Sequence, residues 1–238
     1  MKALRTTICT YAIALLTSLG FVTTSVQAGS SDFAGIFGAF NASAGGAQIS
    51  GTHTSSNNEV NEGTVGGVFP MAGYEVGFNL PLGSVFFLGV GHSWTKGGSA
   101  SIVDGEGGDK GGANNSDNSE NDGASSTNIH LKAKNLKEVY ITPGISITDG
   151  SAMYVKIGRS IADTEISGNV TGTTGNLQGR VLGIGTIAMM SNGLFIKTEG
   201  SVTRFDKLSL TGVGGSAGAK VEGTPDMVAG TIAIGYKF

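Results

Sequence analysis

Cysteine is nearly absent. The 238 residues hold one, Cys9, inside an N-terminal stretch that reads as a leader. The mature chain is therefore expected to carry no disulfide and no thiolate chemistry. Proline is scarce, at 4 residues, and charged residues make up 14% of the chain. No basic patch interrupts that low charge, which removes the electrostatic footprint of a nucleic-acid binder. From Gly29 onward no apolar run approaches the roughly 20 residues that a spanning helix needs. No Walker-type or dinucleotide motif occurs in a strand–turn–helix context. No cofactor and no metal are expected.

The first 28 residues have the layout of a secretory signal peptide. Lys2 and Arg5 are its positive region and Ile8 to Val22 its apolar run. Val26-Gln27-Ala28 supplies small residues at the usual cleavage spacing, so cleavage is expected after Ala28. No lipobox-like cysteine follows the apolar run. Residues 29–238 are then one domain. The formal charge of the full chain is −3, and losing Lys2 and Arg5 makes it −5. The stretch from Gly97 to Thr127 carries six acids (Asp104, Glu106, Asp109, Asp117, Glu120 and Asp122) against Lys110, which is also −5. The acidity is local, and the rest of the mature chain is formally neutral.

Glycine is abundant instead: 41 residues, against an ordinary share of about 7%. At this density it fits bent strands and loops better than helices, where each costs about 1 kcal/mol relative to alanine. The terminal stretch Met227 to Phe238 shows what the glycines punctuate. Val228, Ile232, Ile234, Tyr236 and Phe238 share one parity; Ala229, Thr231, Ala233, Gly235 and Lys237 share the other. Strict period-two alternation is a strand with two unlike faces. Seven more candidates precede it: Phe33 to Ala44, Thr64 to Leu80, Val85 to Thr95, Ile129 to Ile147, Met153 to Ile161, Arg180 to Met190, and Leu194 to Arg204. In the first, Asn41 and Ser43 favour Ile36 and Phe40 pointing outward. In the fifth, Arg159 falls on the apolar parity; a bulge or a place near a membrane surface would accommodate it.

The connections alternate. Those after the first, third, fifth and seventh strands are long; those after the second, fourth and sixth are short, with Asp149-Gly150 a hairpin signal. All short turns then lie at one end and all long loops at the other, as in up-and-down outer-membrane barrels. An even strand number lets the last strand close on the first. The predicted fold class is an all-β, eight-stranded antiparallel up-and-down transmembrane β-barrel. Its apolar faces meet lipid, its small and polar faces line the lumen, and residues 97–127 form a long extracellular loop too poor in apolar residues to pack.

The segment LGIGTIAMMSNGLFIKTEGSVTRFD, Leu182 to Asp206, resembles the penultimate hairpin of the small outer-membrane β-barrels that include opacity-type surface antigens and the transmembrane domain of outer-membrane protein A. Gly183, Gly185, Ser191, Asn192, Lys197 and Glu199 stand at its motif positions. Ile187 departs from it where an acidic lumen residue is frequent, as do Gly200 and Val202 where aromatics are usual. The resemblance implies that Tyr236 and Phe238 act as the assembly signal read by the barrel-assembly machinery. It implies a surface protein of the cell outer membrane, surrounded by lipid and lipopolysaccharide, with a structural, adhesion or interaction role and an extracellular ligand met through the loops. A small channel for ions or small apolar solutes is the alternative. A lipid A-modifying enzyme comes third.

Three sets of residues are singled out within that frame. Glu75, Glu138, Lys156, Lys197, Glu199 and Lys237 fall on the small or polar faces and are expected to pair in the lumen, since an isolated charge there costs several kcal/mol. Tyr140 and Tyr154 are candidates to fill the remaining space, while lumen glycines such as Gly183, Gly185 and Gly235 are expected to leave room for water. Tyr74, Trp94 and Tyr236 are the expected interface aromatics. His92 and Ser93 are adjacent, so they lie on opposite faces and cannot act as base and nucleophile together. No enzyme activity is expected. Asn118 to Gly123 half-matches a calcium loop, but Ile129 stands where a bidentate Glu is required.

Overall fold

The computed structural model describes residues 29–54, 60–97, 129–168, 176–211 and 220–238. The expected signal peptide (1–28) and nearly all of the acidic loop, with its calcium-like stretch, lie outside the described residues. Among the described residues a 3-10 turn, Ser30–Phe33, precedes nine strand segments: β1 Gly35–Thr54, β2 Val60–Leu82, β3 Phe86–Gly97, β4 Ile129–Thr148, β5 Ser151–Gly168, β6 Asn176–Met189, β7 Leu194–Phe205, β8 Leu208–Thr211 and β9 Lys220–Lys237. Neighbours in the sheet are antiparallel, in the order β1 to β7 and then β9, and β9 pairs back onto β1 from Phe37↔Lys237 to Thr54↔Lys220. The sheet is closed, so its ladders have no free edge along the barrel wall, as a bilayer core requires.

Nine segments make eight staves. β7 and β8 both pair with the same side of β9, β7 through Arg204↔Asp226 and β8 through Leu208↔Gly223. Three residues, 205–207, face two on β9, a one-residue bulge. It lies opposite Pro225, which has no N–H to give the ladder.

The strands run past the limits read from the sequence. The loop expected from about Ser50 to Glu62 is largely a hairpin, with Ile49↔Val65 continuing in register to Thr54↔Val60. The last strand likewise begins at Lys220, not Met227. The extension Ser50–Thr54 carries no apolar side chain, so nothing in its composition marks it. It is held by backbone pairing on both sides, with β2 and β9.

Side-chain direction follows the parities. Ile36, Phe40, Val139, Leu182, Ile232 and Ile234 are exposed on the outer wall, while Phe37, Phe87, Tyr140, Tyr154 and Phe195 are buried inside. An apolar exterior around a partly charged interior inverts a soluble barrel and is the arrangement lipid selects. Met190 is exposed at the short-turn end of the sixth stave and Leu182 near the other limit of its apolar face. From Met190 to Leu182 is eight residues, roughly 27 Å along a strand, or roughly 21 Å across a membrane at a tilt of about 40°. That is close to the apolar band of about 25 Å of outer-membrane barrels.

Candidate functional site: the lumen

The lumen is built in three layers. At the short-turn end Phe33, Phe37, Ala39, Phe87, Tyr154, Ile187 and Phe195 form one apolar cluster. At the long-loop end Ile49, Phe69, Met71, Leu177, Phe205 and Met227 form another. Charged groups lie between them.

The short-turn end is plugged by the chain's own 3-10 turn. Phe33 is fully buried and stacks on Phe87 with ring centroids 5.7 Å apart. The turn is tied down around it. Ser30 Oγ donates to Gly83 O at 2.6 Å, Asn79 Nδ2 donates to Phe33 O at 3.0 Å, and Lys237 Nζ donates to Asp32 O at 2.6 Å.

The charged groups of the middle layer come from four staves, β2, β4, β5 and β7. Lys156 on β5 lies directly across from Gly183 on β6, whose missing side chain leaves the lysine a path over the lumen. Its Nζ donates to Glu138 Oε2 at 2.6 Å and to Glu199 Oε1 at 2.9 Å. Lys197 on β7 crosses to Glu75 Oε2 on β2 at 2.5 Å. Hydroxyls donate to the same acids: Tyr154 to Glu199 (2.9 Å), Tyr140 to Glu75 (3.1 Å) and Ser93 to Glu138 (3.2 Å). Lys156 Nζ also sits 4.5 Å from the centre of the Tyr140 ring, a cation–π contact. Three carboxylates and two ammonium groups are thus held in one network, each carboxylate bonded to an ammonium and a hydroxyl. That pairing is what makes buried charge tolerable, although both bonds to Glu75 fall on Oε2 and its Oε1 is buried without a partner. Lys237 stands apart from it. It sits at the mouth of the lumen, where the Asp32 carbonyl takes its ammonium.

Five lumen glycines are seats for aromatic rings. Phe37 lies directly across from Gly77, Phe87 from Gly144, Tyr140 from Gly91, Tyr154 from Gly185 and Phe195 from Gly235. A Cβ on Gly144 would fall 2.2 Å from the Phe87 ring, and one on Gly185 2.3 Å from the Tyr154 hydroxyl. Each ring folds over its glycine, so the room the glycines were expected to leave for water is occupied. A cavity of about 30 Å³ remains beside Asn41, Glu138, Lys156 and Glu199, enough for a water or two. The unpartnered Asn41 Oδ1 offers such a water a bond. This pairing of ring and glycine needs the register and is not readable from parity alone.

On the outer wall Tyr74 and Trp94 are cross-strand partners with centroids 5.3 Å apart, and Lys96 Nζ lies 5.5 Å over the indole. Tyr236 meets Phe238 edge to face at 5.2 Å at the opposite end of the wall. His92 is on the outer wall and Ser93 is buried inside, so that pair is split by the sheet. Beyond the band, Asn135 Nδ2 and Lys137 donate to the Asp163 carboxylate and hold it below the usual range. Hydrogen bonds from Lys220 and Lys207 bring Glu222 down to about 2.

No family model matches the chain, and no curated protein matches it. Several solved structures are similar in outline. The outer membrane protein OprG from Pseudomonas aeruginosa aligns at 11% identity over 90% of this chain and 99% of its own, with a TM-score of 0.44. The outer membrane protease OmpT from Escherichia coli aligns at 10% identity over 86% of this chain and 97% of its own, with a TM-score of 0.44. Ail, the attachment invasion locus protein of Yersinia pestis, aligns at 12% identity over 81% of this chain and 97% of its own, with a TM-score of 0.38. By its own strand pairing and its apolar exterior, the chain is a closed eight-stranded antiparallel β-barrel of the outer-membrane type.

Proposed function

We propose that the protein is an integral outer-membrane barrel whose work is done outside the lumen, by the loops at its long-loop end. It serves as a surface scaffold or interaction protein, neither a channel nor an enzyme. The observation that carries this reading is the lumen itself, closed by an apolar cluster at each end with a paired ionic layer between. A path for ions or solutes would have to break all three layers. Eight staves leave an interior that side chains can fill, and here they fill it.

Topology is the test. Single cysteines introduced by Ala113→Cys in the acidic loop and Asp149→Cys in a short turn are probed with a membrane-impermeant maleimide. Ala113→Cys should label on intact cells, and Asp149→Cys only after the cells are broken. Labelling of Asp149→Cys on intact cells, or protection of Ala113→Cys, would contradict the reading.

A further inference from the structure

Arg159 is the residue whose parity places it among lipid-facing apolar side chains, and the structure removes one explanation for it. The β5–β6 register runs without interruption from Ser151↔Ala188 to Asp163↔Asn176, so no bulge turns Arg159 inward. It stays on the outer wall, exposed. Its direct partner is Arg180, and the direct partner of Arg180 on the next stave is Arg204. Three outward arginines therefore stand in one row across β5, β6 and β7, with backbones about 5 Å apart.

Like charges placed directly across a ladder destabilise it. Among the described residues only the last of the three is compensated, through Arg204 Nε to Asp226 Oδ1 at 3.1 Å. Arg159 and Arg180 have no carboxylate partner among the described residues. The nearby charges are Asp206 and Lys207 just past Arg204, the latter engaged with Glu222, and Lys137 with Asp163.

The row also has a fixed neighbour. Two residues along each stave toward the short turns, the outward positions are Ile157, Leu182 and Val202, themselves direct partners and all exposed. A line of guanidinium groups runs along the limit of an apolar surface. Guanidinium is a planar fork that binds phosphate oxygens two at a time.

We propose that Arg159, Arg180 and Arg204 form a binding site for the phosphate of an anionic membrane lipid, whose acyl chains lie on Ile157, Leu182 and Val202. The phosphate supplies the charge that the row lacks, and the apolar row supplies the surface that a free phosphate would not use. The site rests on the reading of the barrel as membrane-inserted, and it names the lipid chemistry that the barrel holds at its wall.

The test is native mass spectrometry of the folded protein in neutral detergent. It is titrated with bisphosphorylated lipid A, with the same lipid lacking both phosphates, and with inorganic phosphate. The wild type should retain the phosphorylated lipid, bind the dephosphorylated one at least tenfold more weakly, and not hold inorganic phosphate. The double variant R159Q/R180Q should weaken binding of the phosphorylated lipid roughly tenfold or more. R159K/R180K, which keeps the charge and loses the forks, should fall between. It also carries the test if the glutamine variant fails to fold, as judged by heat-modifiable gel mobility. Equal binding of the two lipids, unchanged binding by the folded arginine variants, or inorganic phosphate binding as well as lipid would each overturn the site. A wild-type chain with no heat-modifiable mobility would instead overturn the barrel reading beneath it.

Discussion

Replacing Lys156 by methionine isolates the ionic layer from the rest of the barrel. The two side chains are of similar length, so the apolar clusters above and below keep their neighbours. What is lost is the ammonium that bonds both Glu138 at 2.6 Å and Glu199 at 2.9 Å. Breaking a buried pair by removing one partner costs about 3–5 kcal/mol, because the remaining charge is left uncompensated. Here two carboxylates are stranded, but Ser93 and Tyr154 still donate to them. The expected loss is therefore about 3 kcal/mol, at the lower end. The triple variant K156M/E138Q/E199Q removes the charges together and should recover most of it, since a neutral replacement of a buried ionic group is often near neutral. Urea unfolding in lipid vesicles reads the effect through Trp94, the only tryptophan of the chain, which leaves the outer wall for water. K156M within about 0.5 kcal/mol of wild type, the range of an ordinary surface substitution, would refute the view of the layer as a coupled network.

Three other outcomes follow from the geometry. Gly144→Ala should destabilise by about 1–3 kcal/mol through overpacking against the Phe87 ring, and adding Phe87→Leu should restore part of it; a neutral G144A in the same unfolding assay would mean the ring is not seated there. Phe33→Ala should cost about 3–5 kcal/mol, as for other fully buried aromatics, whereas a loss under 1 kcal/mol would show that the 3-10 turn is not packed in the lumen mouth. Glu222 should stay ionised down to about pH 2 in a carbon-13 carboxyl titration, against about 4.3 for a free glutamate. Because its folded-state value is depressed, its stabilising contribution is present above about pH 4.3 and is lost as pH falls through about 2. A midpoint near 4.3 would show that the bonds from Lys220 and Lys207 do not form.

Much of the barrel is legible in the sequence, because period-two parity speaks directly to which face a residue takes. Ile36 and Phe40 outward, Glu75 and Lys156 inward, and the alternation of short and long connections all follow from parity and turn composition. What parity cannot carry is register. The arginine row, the ring-on-glycine pairs and the passage of Lys156 over Gly183 each depend on which residues stand opposite one another across a strand pair. That relation is fixed only when the barrel closes. The strand extension past Ser50 escapes for a different reason: Ser50 to Thr54 holds no apolar side chain, so there is no alternation to read. Phe33, read from the sequence as the start of the first strand, lies in the 3-10 turn instead, and it acquires its part as a plug from contacts with Phe87 and Asn79, more than forty residues away.

The central claim is that the lumen is filled along its length, and single-channel recording of purified wild-type protein in planar bilayers tests it most directly. The account predicts a silent membrane at holding potentials where the protein is shown to be inserted and folded. Stable, large, ohmic conductance steps would contradict it.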